Sequence, residues 1–146
     1  MRRYADPVKH PVFVIEGSDL SMYQDAQTAQ AWLEAPDVRD GIYDLFDADG
    51  RPLDATAESD DSQVVIVELP GRLPEPERLA ALLRDYLRAV AVAQPGLVAV
   101  SDDVLSTASL PDLVLEMQAV EGRHRARSVG ARVRRWVSGF KSSRKS

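Results

Sequence analysis

The run "DLFDADGRPLDAT" contains the residues of this chain whose types and spacing come closest to a metal-binding motif. A twelve-residue calcium loop needs acids or amides at positions 1, 3 and 5, glycine at 6 and glutamate at 12. With Gly50 at position 6, Asp47 and Asp49 fit positions 3 and 5, but positions 1 and 12 are Leu45 and Thr56. Because two anchoring ligands are missing, the spacing favours a hairpin turn, and we expect no metal site.

The other groups that could catalyse a reaction form no recognised motif. "DGIYDLFDADG" supplies paired carboxylates, which glycoside cleavage uses, but strand alternation and a turn would spread them over an exposed edge. His10 lies beside a proline, His124 lies in a basic segment, and no serine occupies a G-x-S-x-G turn. The sequence also has no phosphate-binding glycine loop and no H-E-x-x-H. We therefore expect no catalytic residues, no enzyme activity and no cofactor.

Charge is distributed very unevenly along the chain, whose formal net charge is −5. Residues 122–146 hold nine of the 18 Lys and Arg residues and none of the 23 acids. Residues 1–121 therefore carry nine bases against 23 acids, a formal net charge of −14. This pattern predicts an acidic domain at 1–121 followed by a basic tail at 122–146.

The acids are densest between residues 37 and 61, where Arg39 and Arg51 are the only bases. The nine acids of this window form the candidate partner-binding surface: Asp37, Asp40, Asp44, Asp47, Asp49, Asp54, Glu58, Asp60 and Asp61. Such a field would steer a basic partner and accelerate its encounter. The sequence leaves open whether these acids form a docking surface or only maintain solubility.

The basic tail provides a second candidate site. Five apolar residues fall on one helical face among its arginines, namely Val129, Val133, Trp136, Val137 and Phe140. The candidate tail-binding residues are Arg127, Arg132, Arg134, Arg135, Trp136 and Phe140. A basic amphipathic helix of this kind could pack on the domain, lie on an anionic membrane or bind a protein. We expect no nucleic acid, because the strongly acidic body would repel phosphates.

Composition and hydropathy bear on the compartment. Cysteine is absent, so the chain has no disulfide framework and no thiolate metal site. The apolar run near the start, Val12 to Ile15, is far shorter than the core of a signal peptide, and no later stretch approaches the roughly 20 apolar residues of a membrane span. We therefore expect a cytoplasmic protein. Frequent arginine and alanine with scarce lysine are typical of a GC-rich bacterial coding sequence.

The first half of the sequence has the pattern of strands. "PVFVIE" and "DLSMYQ" predict two strands, and a helix from about 25 to 34 should end before Pro36. A hairpin around Asp49 and Gly50 should place Phe46 opposite Leu53, and should also place Ile42 opposite Ala57. Pro52 suggests that the second hairpin strand is an edge, and "VVIVEL" is typical of a strand covered on both faces.

The second half has the pattern of helices. Apolar residues at helical spacing predict a long helix from about 76 until Pro95 and Gly96 end it. "LVAV" could be a last strand or an apolar link, and "SLPDLVLEMQAV" predicts a helix capped by Ser109. The elements together predict an α+β fold. It should have four or five mainly antiparallel strands, helices on one face and a C-terminal helical extension.

Residues 11–93 resemble small bacterial immunity proteins of polymorphic toxin systems. The resemblance is carried by "PVFVIEGSDLSMYQDAQTAQAWLE", "DVRDGIYDLFDADGRPL", "VVIVEL" and the long Leu-rich helix, whereas the arginine-rich tail is not part of it. It implies a non-catalytic protein that binds a cognate toxin and blocks its active site, as in a toxin-antitoxin pair. Nuclease toxins are often basic because they bind phosphates, so an acidic inhibitor could occupy the same surface.

These observations lead to one expected function and one alternative. We expect an immunity-type inhibitor that binds a basic toxin domain, possibly a nuclease, through the acidic hairpin region. The alternative is a peripheral membrane or regulatory adaptor that acts through its basic tail. The sequence does not predict the oligomeric state.

Overall fold

The computed structural model describes residues 8–57 and 63–127. These residues confirm the α+β class, with a five-stranded antiparallel sheet, two short helices between its second and third strands, and three helices after its last strand. The strands are β1 Val12–Glu16, β2 Asp19–Tyr23, β3 Tyr43–Phe46, β4 Pro52–Ala57 and β5 Val64–Glu68. The helices are α1 Ala26–Trp32, α2 Ala35–Arg39, α3 Pro76–Ala93, α4 Asp102–Thr107 and α5 Leu110–Arg127.

The chain divides into two compact units, one up to Leu82 and one from Leu83 onward. The first unit contains the sheet, α1, α2 and the start of α3, and the second contains the rest of α3, α4 and α5. The predicted division after residue 121 falls inside α5 and stays a prediction.

The strands of the first unit lie in the order β2-β1-β3-β4-β5, and every neighbouring pair is antiparallel. In β1, four consecutive residues from Val12 to Ile15 are buried, which shows that this strand is covered on both faces. On one face, Val12 and Val14 join a core that includes Leu45, Leu53 and residues of α1 and α2. Phe13 and Phe46 lie opposite each other on the other face.

The predicted helix near residue 25 is confirmed as α1. The carboxylate of Asp25 caps it by accepting the backbone N–H of Thr28 at 2.7 Å. Pro36 was expected to end helical structure, but it lies in the first turn of α2, which the sequence did not predict. Leu33 and Glu34 are extended, so the chain leaves one helix and starts another where proline's missing N–H does no harm.

Two predictions about the later strands are wrong. β4 is an interior strand between β3 and β5, because Pro52 is its first residue and the donors needed for pairing with β5 begin at Leu53. β5 is an edge strand and is covered on one face only, since Val64 and Ile66 are buried while Val65 and Val67 are exposed. The four residues are all apolar, so the sequence does not show that buried and exposed side chains alternate along this half-buried strand.

The start of α3 lies on the face of the sheet opposite α1 and α2, whereas the sequence had placed both predicted helices on one face. The guanidinium of Arg78 lies over the ring of Phe46, 5.3 Å from its centroid, and also forms an ion pair with Asp44 at 3.3 Å. Phe46 and Asp44 share this face because they are two residues apart in β3.

Arginines of α3 hold α4 in place within the second unit. Arg84 donates to the carbonyl oxygens of Leu105 at 2.7 Å and Ala108 at 3.1 Å, at the C-terminal end of α4. Arg88 donates to Asp102 Oδ1 at 2.7 Å, near the start of the same helix. The sequence did not predict α4, although Ser101 followed by two aspartates is a typical helix start.

The other predictions for the second half of the chain concern α3, the segment "LVAV" and α5. The long helix is confirmed as α3, with Leu83 and Leu87 buried, and it ends before Gly96, whose φ is 93°. "LVAV" is a link and not a strand, and its Leu97 is buried. The helix capped by Ser109 is confirmed as α5, whose buried residues include Leu113 and Met117.

We predict that Gly50→Ala destabilises the protein more than Gly41→Ala. Both glycines have positive φ, 81° and 71°, where any other residue costs about 1–2 kcal/mol. A Cβ at Gly50 would also lie 2.7 Å from Pro76 Cα, whereas a Cβ at Gly41 would meet nothing within 4 Å. The extra overlap should add about 1–3 kcal/mol, measured as the free energy of unfolding in urea. Equal losses at the two positions would contradict this close packing.

Candidate functional site

Six of the nine predicted partner-binding acids lie in the described residues, and the structure divides them by position. Asp37 and Asp40 belong to α2 and its C-terminal end, Asp44 to β3 and Asp54 to β4. Asp47 and Asp49 lie in the turn between β3 and β4. Glu58, Asp60 and Asp61 lie outside the described residues.

Asp47 does not belong to an acidic surface, because its side chain is completely buried at 0% exposure. Its Oδ1 accepts the backbone N–H groups of Asp49 at 2.9 Å and Arg51 at 3.0 Å. Its Oδ2 lies 4.0 Å from the guanidinium of Arg51 and accepts from the N–H of Lys9 at 3.5 Å. The carboxylate replaces water as the acceptor for the turn, which is the structural reason for its burial.

These hydrogen bonds also correct the predicted hairpin register. The loop contains five residues, 47–51, so Leu45 lies opposite Leu53 and Phe46 lies opposite Pro52. Phe46 and Leu53 are both buried but on opposite faces, because a shift of one residue changes the face of each side chain. Ala57 lies opposite Val64 and not Ile42, which precedes β3.

The remaining described acids are at or near the surface. Asp37 is partly buried, and its Oδ2 accepts from the hydroxyl of Tyr43 at 3.5 Å. Asp40, Asp49 and Asp54 are exposed, and none of the three forms an ion pair with another described residue. These three carboxylates can therefore interact with a partner without first breaking an ion pair within the described chain.

Asp44 and Asp54 lie on the same face of the sheet, and both are exposed. Extending the register of β3 and β4 by one residue places them directly opposite each other. Arg78 offsets one of the two charges through its ion pair with Asp44. Like charges at opposite positions destabilise a sheet, so this pair of carboxylates favours a cation.

Two exposed valines lie on the same face as these acids. Val67 lies opposite Asp54, and Val65 lies opposite Thr56. We name Asp44, Asp54, Thr56, Val65 and Val67 together the β3–β5 face. Sequence reasoning missed the two valines because it treated their strand as covered on both sides.

The tail is described only as far as Arg127, so the tail-binding residues Arg132, Arg134, Arg135, Trp136 and Phe140 lie outside the described part. Arg127 is exposed at the end of α5. Arg123 donates to the carbonyl oxygen of Leu97 at 2.6 Å and to Glu116 Oε2 at 2.8 Å. Arg123 therefore stabilises the second unit internally.

The described residues contain neither a metal site nor a membrane-spanning helix. No group of three or more His, Asp or Glu side chains could hold a metal ion within residues 8–57 and 63–127. Among the described helices, none has the length and apolar character needed to cross a bilayer.

Comparisons of the chain with protein-family models, curated proteins and solved structures found no match. The expected kinship with immunity proteins therefore stays a prediction that rests on the residues quoted for it.

We predict that Asp47→Asn lowers the free energy of unfolding by about 2–3 kcal/mol, because an amide N–H₂ group would replace one buried acceptor of the turn. Asp49→Asn is the matched control, since it removes the same charge from an exposed side chain of the same turn. The control should change the free energy by at most about 0.5 kcal/mol. Urea denaturation of both variants tests this, and a loss at Asp47 no larger than at Asp49 would refute it.

We predict that His124 makes the protein less stable as the pH falls below the usual pKa of histidine, about 6.5. Burial lowers the pKa of His124, as does the charge of Arg127, while the backbone and Glu121 act in the opposite direction. The unfolded chain therefore binds a proton that the folded chain binds less readily, so the free energy of unfolding falls as the pH drops below about 6.5. In urea denaturation, His124→Gln should weaken this dependence. An unchanged slope would contradict the role of His124.

Proposed function

We propose that this protein is a non-catalytic, immunity-type inhibitor that binds a basic protein partner through its acidic surface. The partner would be a cognate bacterial toxin domain, and a nuclease is one candidate because nucleases need basic surfaces to bind phosphates. The observation that carries the proposal is that Asp49 and Asp54 are exposed and form no ion pair within the described chain.

The chemistry of these groups fits binding to a cationic surface. Exposed carboxylates raise the rate of encounter with a basic partner and suppress binding to acidic ones. Asp44 adds to the same field, although Arg78 offsets part of its charge. The structural role of Asp47 removes it from the binding surface, so the proposed contact residues are the exposed acids on either side of it in sequence.

We predict that a neighbouring gene encodes a toxin domain, and that the chain co-expressed with this domain elutes with it as a complex in size exclusion. Replacing Asp44, Asp49 and Asp54 together by Asn should lower the association rate by about tenfold at physiological salt, because these charges steer the encounter. The matched control replaces Asp19, Asp85 and Asp103 by Asn, which changes the net charge equally at exposed positions elsewhere. Stopped-flow or surface plasmon resonance measures both rates.

Three outcomes would contradict the proposal. The first is that no complex forms with the toxin domain. The second is that the two triple variants associate equally fast, since net charge and not this surface would then control the rate. The third is sedimentation of the full chain with anionic liposomes that is lost on removal of residues 128–146, which would favour the membrane adaptor.

A further inference from the structure

The exposed side of β5 is unusual within this sheet. Val65 and Val67 are 42% and 37% exposed, whereas Val64 and Ile66 on the opposite face are 4% and 8% exposed. Single exposed apolar residues are common, but these two valines lie two residues apart on one face and form a continuous aliphatic row. Their exposure is a cost to the free protein that a partner could remove.

Polar groups lie directly beside this row. Thr56 is opposite Val65 and Asp54 is opposite Val67, so the neighbouring strand presents a hydroxyl and a carboxylate about 5 Å from the aliphatic row. Asp44 follows on β3. The β3–β5 face therefore presents carboxylates on β3 and β4 beside an aliphatic row on β5.

The outer edge of β5 is less open than its face. The backbone N–H of Ile66, at the centre of the strand, donates to Gln30 Oε1 of α1 at 2.8 Å. An added strand would have to break this hydrogen bond before it could pair with Ile66. The structure thus favours a partner that lies on the face over one that extends the sheet.

Charge identifies the chemistry of the occupant. The β3–β5 face carries two carboxylates, Asp44 and Asp54, and Arg78 offsets part of the charge of Asp44 only. A second copy of this chain would bring like charges together at this face, whereas a cationic segment would pair with Asp54.

We propose that the β3–β5 face binds a basic protein segment that carries arginine or lysine beside aliphatic side chains. The aliphatic groups pack on Val65 and Val67, and a cation pairs with Asp54 and with the exposed side of Asp44. This deepens the proposed function, on which it rests for the identity of the partner, by naming the docking face and its mode of binding.

The first test uses a defined probe and the full-length protein. The peptide acetyl-Arg-Val-Arg-Val-Arg-Val-Arg-amide is titrated into ¹⁵N-labelled protein, and chemical shifts are followed. We expect the largest shifts at Asp54, Thr56, Val65 and Val67. The analogue with serine in place of valine should bind about fivefold more weakly because it lacks apolar contact area. Equal binding of both peptides, or shifts centred on β2, would overturn the proposal.

Matched variants test the mode of binding. The double variant Val65→Thr with Val67→Thr keeps the β-branched shape of both side chains. It should weaken binding of the valine-containing peptide about fivefold. Val104→Thr makes the same change at an exposed position of α4 and should leave binding within twofold. Gln30→Ala should also leave it within twofold, because the peptide does not use the edge. Tighter binding by Gln30→Ala would indicate strand addition and refute face docking.

The toxin complex separates this inference from the proposed function. If the complex forms and is weakened by the triple Asn variant but not by Val65→Thr with Val67→Thr, the function stands and the docking face is wrong. If the valine peptide binds the β3–β5 face but no toxin complex forms, the docking face stands and the function is wrong.

Discussion

The buried carboxylate of Asp47 is the interaction on which the arrangement of the sheet depends. A five-residue turn leaves backbone N–H groups that cannot pair with a strand, and burying them without an acceptor is costly. Asp47 accepts two of them, from Asp49 and Arg51, and its backbone N–H donates to the carbonyl of Arg51 at 3.0 Å. The length of this turn sets the pairing of β3 with β4, and this pairing decides which residues lie on each face.

The face exposed between β3 and β5 follows from that pairing. With Leu45 opposite Leu53, both leucines join the core beneath α1 and α2, and Asp44 and Asp54 lie together on the other face. The carbonyl of Gly50 in the same turn accepts the N–H of Glu75 at 2.7 Å, just before α3 begins. Arg78, in the first turn of that helix, is thereby close enough to reach Asp44 and Phe46. One turn therefore connects the register of the sheet to the start of the long helix.

The sequence predicted the helices and strands better than their order in the sheet and the burial of their side chains. Apolar runs and helical spacing located β1, β2, β5, α1 and α3, the Asp49-Gly50 turn located β3 and β4, and the cap at Ser109 helped to locate α5. These patterns failed where long-range contacts decide: the place of β4 within the sheet, the one-sided burial of β5 and the burial of Asp47. The run of four apolar residues from Val64 to Val67 does not show which face of the strand is covered. The sequence also does not distinguish a turn aspartate that faces solvent from one that accepts hydrogen bonds from its own backbone. The exposed acids were predictable from composition, whereas the valines beside them were not.

The acidic residues of this chain have two different structural roles, and the net charge of the chain does not distinguish these roles. Asp47 and Asp25 satisfy backbone donors, so their charges are balanced locally by N–H dipoles. Asp44 and Asp54, in contrast, lie on one face where their repulsion opposes folding by a few tenths of a kcal/mol up to about 1 kcal/mol. Arg78 reduces that repulsion but is itself half exposed and shared with Glu75. A partner's cation placed between the two carboxylates would relieve the same repulsion. The repulsion between Asp44 and Asp54 would then both lower the stability of the free protein and strengthen the binding of a cation. The position of charge on this face therefore bears more directly on the proposed binding than the net charge of the chain does.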